Sequence, residues 1–142
     1  MMQPIITLIQ DYLSAVADAV ARVQKDIGAD LVRQGPGGGR FPRFGNLSDG
    51  SEYQFHGIGL SVESGDIDVN FDFGTGGRYD GFDAWSLWCF AKQQLDRYPT
   101  FQDKEDVDEA LRHLISERKV VGSTNPDRDR LFYLAGSTPR VL

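Results

Sequence analysis

Residues 53–73, YQFHGIGLSVESGDIDVNFDF, alternate apolar and polar side chains along most of their length. A period of two belongs to strands with one face buried and the other wet. With Ser64-Gly65 as a two-residue turn, the run closes into an antiparallel hairpin. That register sets Val62 opposite Ile67, Leu60 opposite Val69, Ile58 opposite Phe71 and His56 opposite Phe73. Opposed residues point the same way, so all eight share an apolar face. The other face carries Gly57, Gly59, Ser61, Glu63, Asp66, Asp68, Asn70 and Asp72, and is acidic. A hairpin of this kind needs a partner layer for its apolar side.

The rest of the chain supplies candidates for that layer. From Ile5 to Ile27 apolar residues recur at helical spacing, with Pro4 in the first turn and Gly28 as a stop. A loop is expected from Gly28 to Glu52, including the Gly-rich run Gly35–Arg40, an unusual length inside one domain. Asp83 is placed to cap a helix running to about Arg97, and Asp103 a second running to about Arg118. Short apolar runs at Val120-Val121 and at Leu131–Leu134 flank a turn-rich segment and predict a second hairpin. At 142 residues, 40% hydrophobic and 25% charged, the chain has the length and composition of one folded domain. The expected fold is therefore α+β in a single domain over 1–142: N-terminal helix, antiparallel hairpin, two helices, C-terminal hairpin.

Charge narrows the function. The net charge is −6, from 21 acidic and 15 basic residues, and 12 of the acids against 4 bases fall between Glu63 and Glu109. Nucleic acid as a direct partner is disfavoured, because its recognition relies on clustered Lys and Arg. A basic protein partner is favoured by complementary fields. The expected partner-binding residues are Glu63, Asp66, Asp68 and Asp72 on the polar face, with Asp103, Glu105, Asp106, Asp108 and Glu109 at a helix start. Tyr53, Phe55 and Tyr79 are candidate aromatic anchors. No membrane partner is expected, since no apolar run approaches the length of a span and the N-terminus lacks the pattern of a signal peptide. The single cysteine, Cys89, suits a reducing cytoplasm and excludes an internal disulfide.

Catalytic and cofactor motifs read poorly. Asp66–Asp72 begins like a calcium loop, but Phe71 stands where the loop needs glycine and Gly77 where it needs glutamate. Gly35–Arg40 lacks the Gly-Lys-Ser/Thr ending of a phosphate loop. Cys89, between Trp88 and Phe90, reads as a packed thiol rather than a nucleophile. No metal or cofactor is expected. His56, Asp80 and Asp83 form the one alternative, a small hydrolase-like site. Capping by Asp83, a turn at Asp80-Gly81 and a hydrogen-bonded core histidine account for the same residues without catalysis. A third reading is a structural or regulatory module whose acidic surface serves solubility alone.

Three segments, Phe55-His56-Gly57-Ile58-Gly59, Val69–Gly74 and Gly77–Trp88, together resemble an uncharacterised family of small bacterial proteins with FHGxG and DGFDAWxLW motifs. Leu60 departs from that family, where cysteine is frequent, so no thiol role carries over. The resemblance implies a bacterial cytoplasmic protein. By class it also implies an immunity protein that binds and neutralises a cognate toxin.

Overall fold

The structure is a computed structural model that describes residues 3–28, 43–56, 59–122 and 131–142. Helix α1 spans Pro4–Ile27, and its stripe from Ile5 through Leu8, Tyr12, Val16 and Val20 to Val23 is buried. Strands β1 (Phe44–Asn46), β2 (Glu52–His56), β3 (Gly59–Ser64) and β4 (Ile67–Asp72) form one antiparallel sheet in that order. Helices α2 (Ala84–Lys92) and α3 (Lys104–Ser116) follow, and β5 (Val120–Gly122) pairs with β6 (Phe132–Leu134) as a separate hairpin. This is the α+β order expected, with a larger first sheet. By length and composition α1 could cross a membrane, yet its apolar stripe packs in the core beneath the sheet.

The hairpin forms with a different turn. Ser64 pairs with Ile67, Val62 with Val69 and Leu60 with Phe71, so the central residues are Gly65 and Asp66. Gly65 has φ +68°, the left-handed value that the first central position of a type II′ turn requires and that only glycine adopts freely. Moving each pair by two leaves every side chain on its expected face.

The upstream half of the hairpin is two strands rather than one. His56 pairs with Gly59 and Phe55 with Leu60, so the chain reverses between β2 and β3. The reversal changes parity: Tyr53 and Phe55 join Leu60 and Val62 in the core, and His56 comes to the exposed side. The expected core position of His56 is therefore wrong, and so are Tyr53 and Phe55 as surface anchors, being only 7% and 3% exposed. Tyr79 is half-buried against the same core. Gly57 and Ile58, and with them the expected Ile58–Phe71 pair, lie outside the described residues. So do the Gly-rich run and the turn-rich segment between β5 and β6.

Two other boundaries move. β1 and a turn at Leu47–Ser51 occupy the described part of the expected loop, held by Leu47 N–H on Ser51 O at 2.7 Å. α2 stops at Lys92, five residues before Arg97. There the Gln93 side chain donates to Cys89 O at 2.7 Å and to Asp68 O at 2.9 Å, while its carbonyl accepts from Asp68 N–H at 2.9 Å. One amide thus satisfies the outward backbone groups of Asp68 on edge strand β4. Further along, the buried Tyr12 hydroxyl donates to Asn70 O at 2.5 Å, and burial holds its pKa well above the ordinary value. An unpaired strand edge invites association, and these two side chains occupy part of it.

Arg22 of α1 fastens the opposite corner. Its guanidinium meets Asp49 at 2.9 Å, Ser51 Oγ and Glu63 O. The Ser51 hydroxyl and N–H, with Arg22, hold Asp49 down at about 2 from an ordinary 3.8. A carboxylate depressed by folding adds stability above its unfolded value that disappears as pH falls through the folded one. Urea unfolding of the wild type and of Asp49→Asn should therefore show a difference at pH 5 that closes between about pH 4 and pH 2. A gap that persists at pH 1.5 would contradict this.

Candidate functional site

The helices pack on one face of the four-stranded sheet, and the described elements leave the other face open. Exposed Phe44, Asn46, Glu52 and Gln54, half-buried Ser61, Glu63 and Asn70, and exposed Asp68 line a groove of about 800 Å³ there. Strand alternation puts them together: Phe44 opposes Gln54, Gln54 opposes Ser61, and Ser61 opposes Asn70. Three carboxylates, Glu52, Glu63 and Asp68, line the groove, and among the described residues no Lys, Arg or His does. Phe44 is 69% exposed and gives the rim an apolar contact. The groove can take a cationic partner surface with one apolar protrusion.

Polar bonds order its floor. His56 Nε2 lies 2.8 Å from Ser61 Oγ, and Ser61 Oγ donates to Asn70 Oδ1. Ser61 thus bridges His56 and Asn70 in a polar ladder across β2, β3 and β4.

The other expected residues divide clearly. Asp66 is exposed in the hairpin turn next to the groove. Asp72 lies beside His56: a Cβ on Gly59 would come within 2.5 Å of Asp72 Oδ1 and 2.7 Å of His56 Cε1. Asp103 and Asp106 form a reciprocal capping box at the start of α3. Asp108 bonds Lys104 at 2.9 Å and Glu105 bonds Arg112 at 3.1 Å. Asp106 and Glu109 line a second groove, between α1 and α3, that shares no lining residue with the sheet-face groove. The helix-start acids and the strand acids are therefore not one surface.

Asp80 and Asp83 have separate structural duties. Asp83 accepts from Ser86 N–H at 2.7 Å and caps α2. Asp80, 5% exposed, takes both arms of Arg78 at 2.6 and 3.0 Å, which raises the guanidinium pKa further. A cleft of about 660 Å³ contains His56 and Asp83 but is not lined by Asp80. The three residues of the hydrolase-like alternative do not converge. Cys89 is half-buried, and burial pushes its thiol above the ordinary value, opposite to what a nucleophile needs. Among the described residues no three His, Cys, Asp or Glu side chains gather as a metal site requires.

Reasoning on the sequence missed Phe44, Glu52 and Gln54. Glu52, Gln54 and His56 do alternate with Tyr53 and Phe55, so the signal for a separate β2 is present once Gly57 is read as a break. Phe44 belongs to a three-residue strand, too short to show a period.

The family model for a domain of unknown function, DUF6896, matches residues 5–134. The chain belongs to this family. No curated protein and no solved structure matches it. The matched span of this DUF6896 chain contains the described four-stranded sheet and the three described helices but for the first residue of α1.

Proposed function

We propose that the chain is an acidic protein-binding module, an immunity-type protein of a bacterial cytoplasm that occludes a basic toxin domain with the open face of its sheet. The observation that carries this reading is the groove holding Glu52, Glu63 and Asp68, with no basic side chain among its described lining residues, rimmed by exposed Phe44. Carboxylates of one sign on a shallow surface raise the encounter rate with a cationic partner and reject acidic ones. An exposed aromatic beside them supplies the desolvated contact from which affinity comes. The net charge of −6 and the resemblance of three segments to a family of small bacterial proteins support the toxin class of partner. Cys89 as a free thiol is in keeping with the cytoplasm.

The test begins with recovery of the tagged protein from its host, with neighbouring reading frames identified, and continues with the recovered partner in hand. Double charge reversal, Glu63→Lys with Asp68→Lys, should weaken binding roughly a hundredfold or more, mostly through association rate at low salt. Wild-type affinity should fall with ionic strength as exposed charges are screened. An unchanged dissociation constant in the double variant, or a partner that is itself acidic, would sink the proposal.

A further inference from the structure

We infer that the outer edge of β1 receives an extended segment of the same partner as an added antiparallel strand, with a basic residue opposite Asn46. The inference rests on the open-face reading above. Arg43 O accepts from Phe55 N–H at 2.8 Å, and Leu47 N–H donates to Ser51 O at 2.7 Å. Residues that bond a given neighbour alternate along an antiparallel ladder, so Arg43, Gly45 and Leu47 direct their backbone groups at the β2 side. Phe44 and Asn46 then point N–H and C=O away from the sheet, and among the described residues nothing bonds those groups. The other edge differs, because Gln93 and Tyr12 bond the backbone of β4 at Asp68 and Asn70. An edge this short needs side chains to supply the rest of the affinity and the choice of partner.

The charge pattern runs to that edge. Asn46 opposes Glu52, and Glu63 opposes Asp68. One step beyond the Tyr53–Val62 pair, the β2–β3 register brings Glu52 beside Glu63. Asn46, Glu52, Glu63 and Asp68 thus form a row across the sheet. Like charges set directly opposite destabilise a sheet. Arg22 reaches only the Glu63 carbonyl, and its own charge is met by Asp49 at 2.8 Å. A cation carried in by an added strand relieves the repulsion. Opposed residues share a face, so a partner residue opposite Asn46 lies on the open face in line with the row. Glu52 is then two strand spacings away, about 10 Å, which a lysine or arginine and the glutamate span between them. The partner residue two positions further on lies opposite Phe44, 69% exposed, where an aromatic side chain gains a cross-strand aromatic neighbour. Running antiparallel to β1, the segment reads basic, any residue, aromatic.

Two synthetic peptides test this without the natural partner: acetylated, amidated Thr-Lys-Thr-Phe-Thr, and the same peptide N-methylated at its Lys and Phe. Methylation removes the two N–H groups that would meet the carbonyls of Asn46 and Phe44, and leaves the charge and the side chains in place. Titrated into ¹⁵N-labelled protein, the unmodified peptide should shift the Phe44 and Asn46 amides and slow their exchange with solvent. The methylated peptide should bind about tenfold more weakly. Asn46→Pro removes one outward N–H where an edge strand tolerates proline. With folding checked by circular dichroism, it should weaken the unmodified peptide about fivefold. Equal affinity for the two peptides, with shifts confined to open-face residues such as Ser61 and Asp68, overturns the added strand and leaves the open-face reading standing. Absence of any shift with either peptide also overturns the added strand, and the charge-reversed variant with the recovered partner then decides the open face on its own.

Discussion

Asp80→Ala is expected to destabilise the fold by about 3 kcal/mol, the lower end for breaking a buried ion pair, since Arg78 retains some contact with water. Asp80 is 5% exposed and Arg78 27%. Both arms of the guanidinium end on the Asp80 carboxylate at 2.6 and 3.0 Å. Removing the carboxylate strands a cation that cannot turn outward without leaving Tyr133, whose ring centroid lies 3.8 Å from its central carbon. The cost arises from the unpaired charge, not from a large net value of the pair. The double variant Arg78→Met with Asp80→Leu should therefore recover more than half of the loss, because apolar groups of similar volume replace a buried pair at little cost. Urea unfolding followed by tryptophan fluorescence measures both. A loss below about 1 kcal/mol in Asp80→Ala would place the pair among ordinary surface ion pairs and refute the assignment.

Tyr133→Ala is expected to cost about 3–5 kcal/mol, as large aromatic truncations in a core do. Tyr133 is 7% exposed, with Arg78 stacked on one face of its ring. The backbone approaches it at two glycines. A Cβ on Gly81 would sit 3.0 Å from Tyr133 Cε1, and one on Gly74 would sit 2.6 Å from its hydroxyl. The ring fills a slot that exists because neither position carries a side chain, so alanine leaves a void that the strands cannot close without moving the Phe82–Phe132 bridge. Tyr133→Phe removes only the hydroxyl and keeps the stack and the slot, and should cost much less than Tyr133→Ala. Equal losses in the two variants would mean that the hydroxyl, not the ring, does the holding. Combined with Asp80→Ala, Tyr133→Ala should lose less than the sum, because both changes act on Arg78.

Most of the architecture was open to inference from local pattern. The helical stripe of α1 with Pro4 and Gly28 at its ends, the aspartates at 83 and 103, and the apolar runs around 120 and 132 each signal through neighbours a few residues apart. Such signals survive whatever the rest of the chain does. The acids of the candidate face were likewise legible, because Glu63, Asp68, Asn70 and Asp72 alternate with Val62, Val69 and Phe71. What misled was the junction at residues 57–58: with glycine on both sides of Ile58, an unbroken strand and a reversal read alike. The choice between them moved His56 to the surface and took Tyr53 and Phe55 into the core. The stop of α2 at Lys92 was equally hidden, because it depends on Gln93 meeting Asp68, 25 residues away.

The amino-acid sequence by itself determined which faces of α1, β3 and β4 are wet and which are dry, because strand and helix periods are local geometry and a shift of two residues changes neither; on β2 it assigned the two faces the wrong way round. Only the tertiary structure decided which strand lies beside which, that Phe44 and Glu52 complete an acidic groove, and that Asp80 belongs to Arg78 and Tyr133 rather than to His56. The physical reason is the difference between parity and pairing. Side-chain direction along a strand repeats every second residue and can be counted from the sequence. Pairing instead depends on where the chain turns, at Gly65 and between β2 and β3, and on which buried surfaces then fit together.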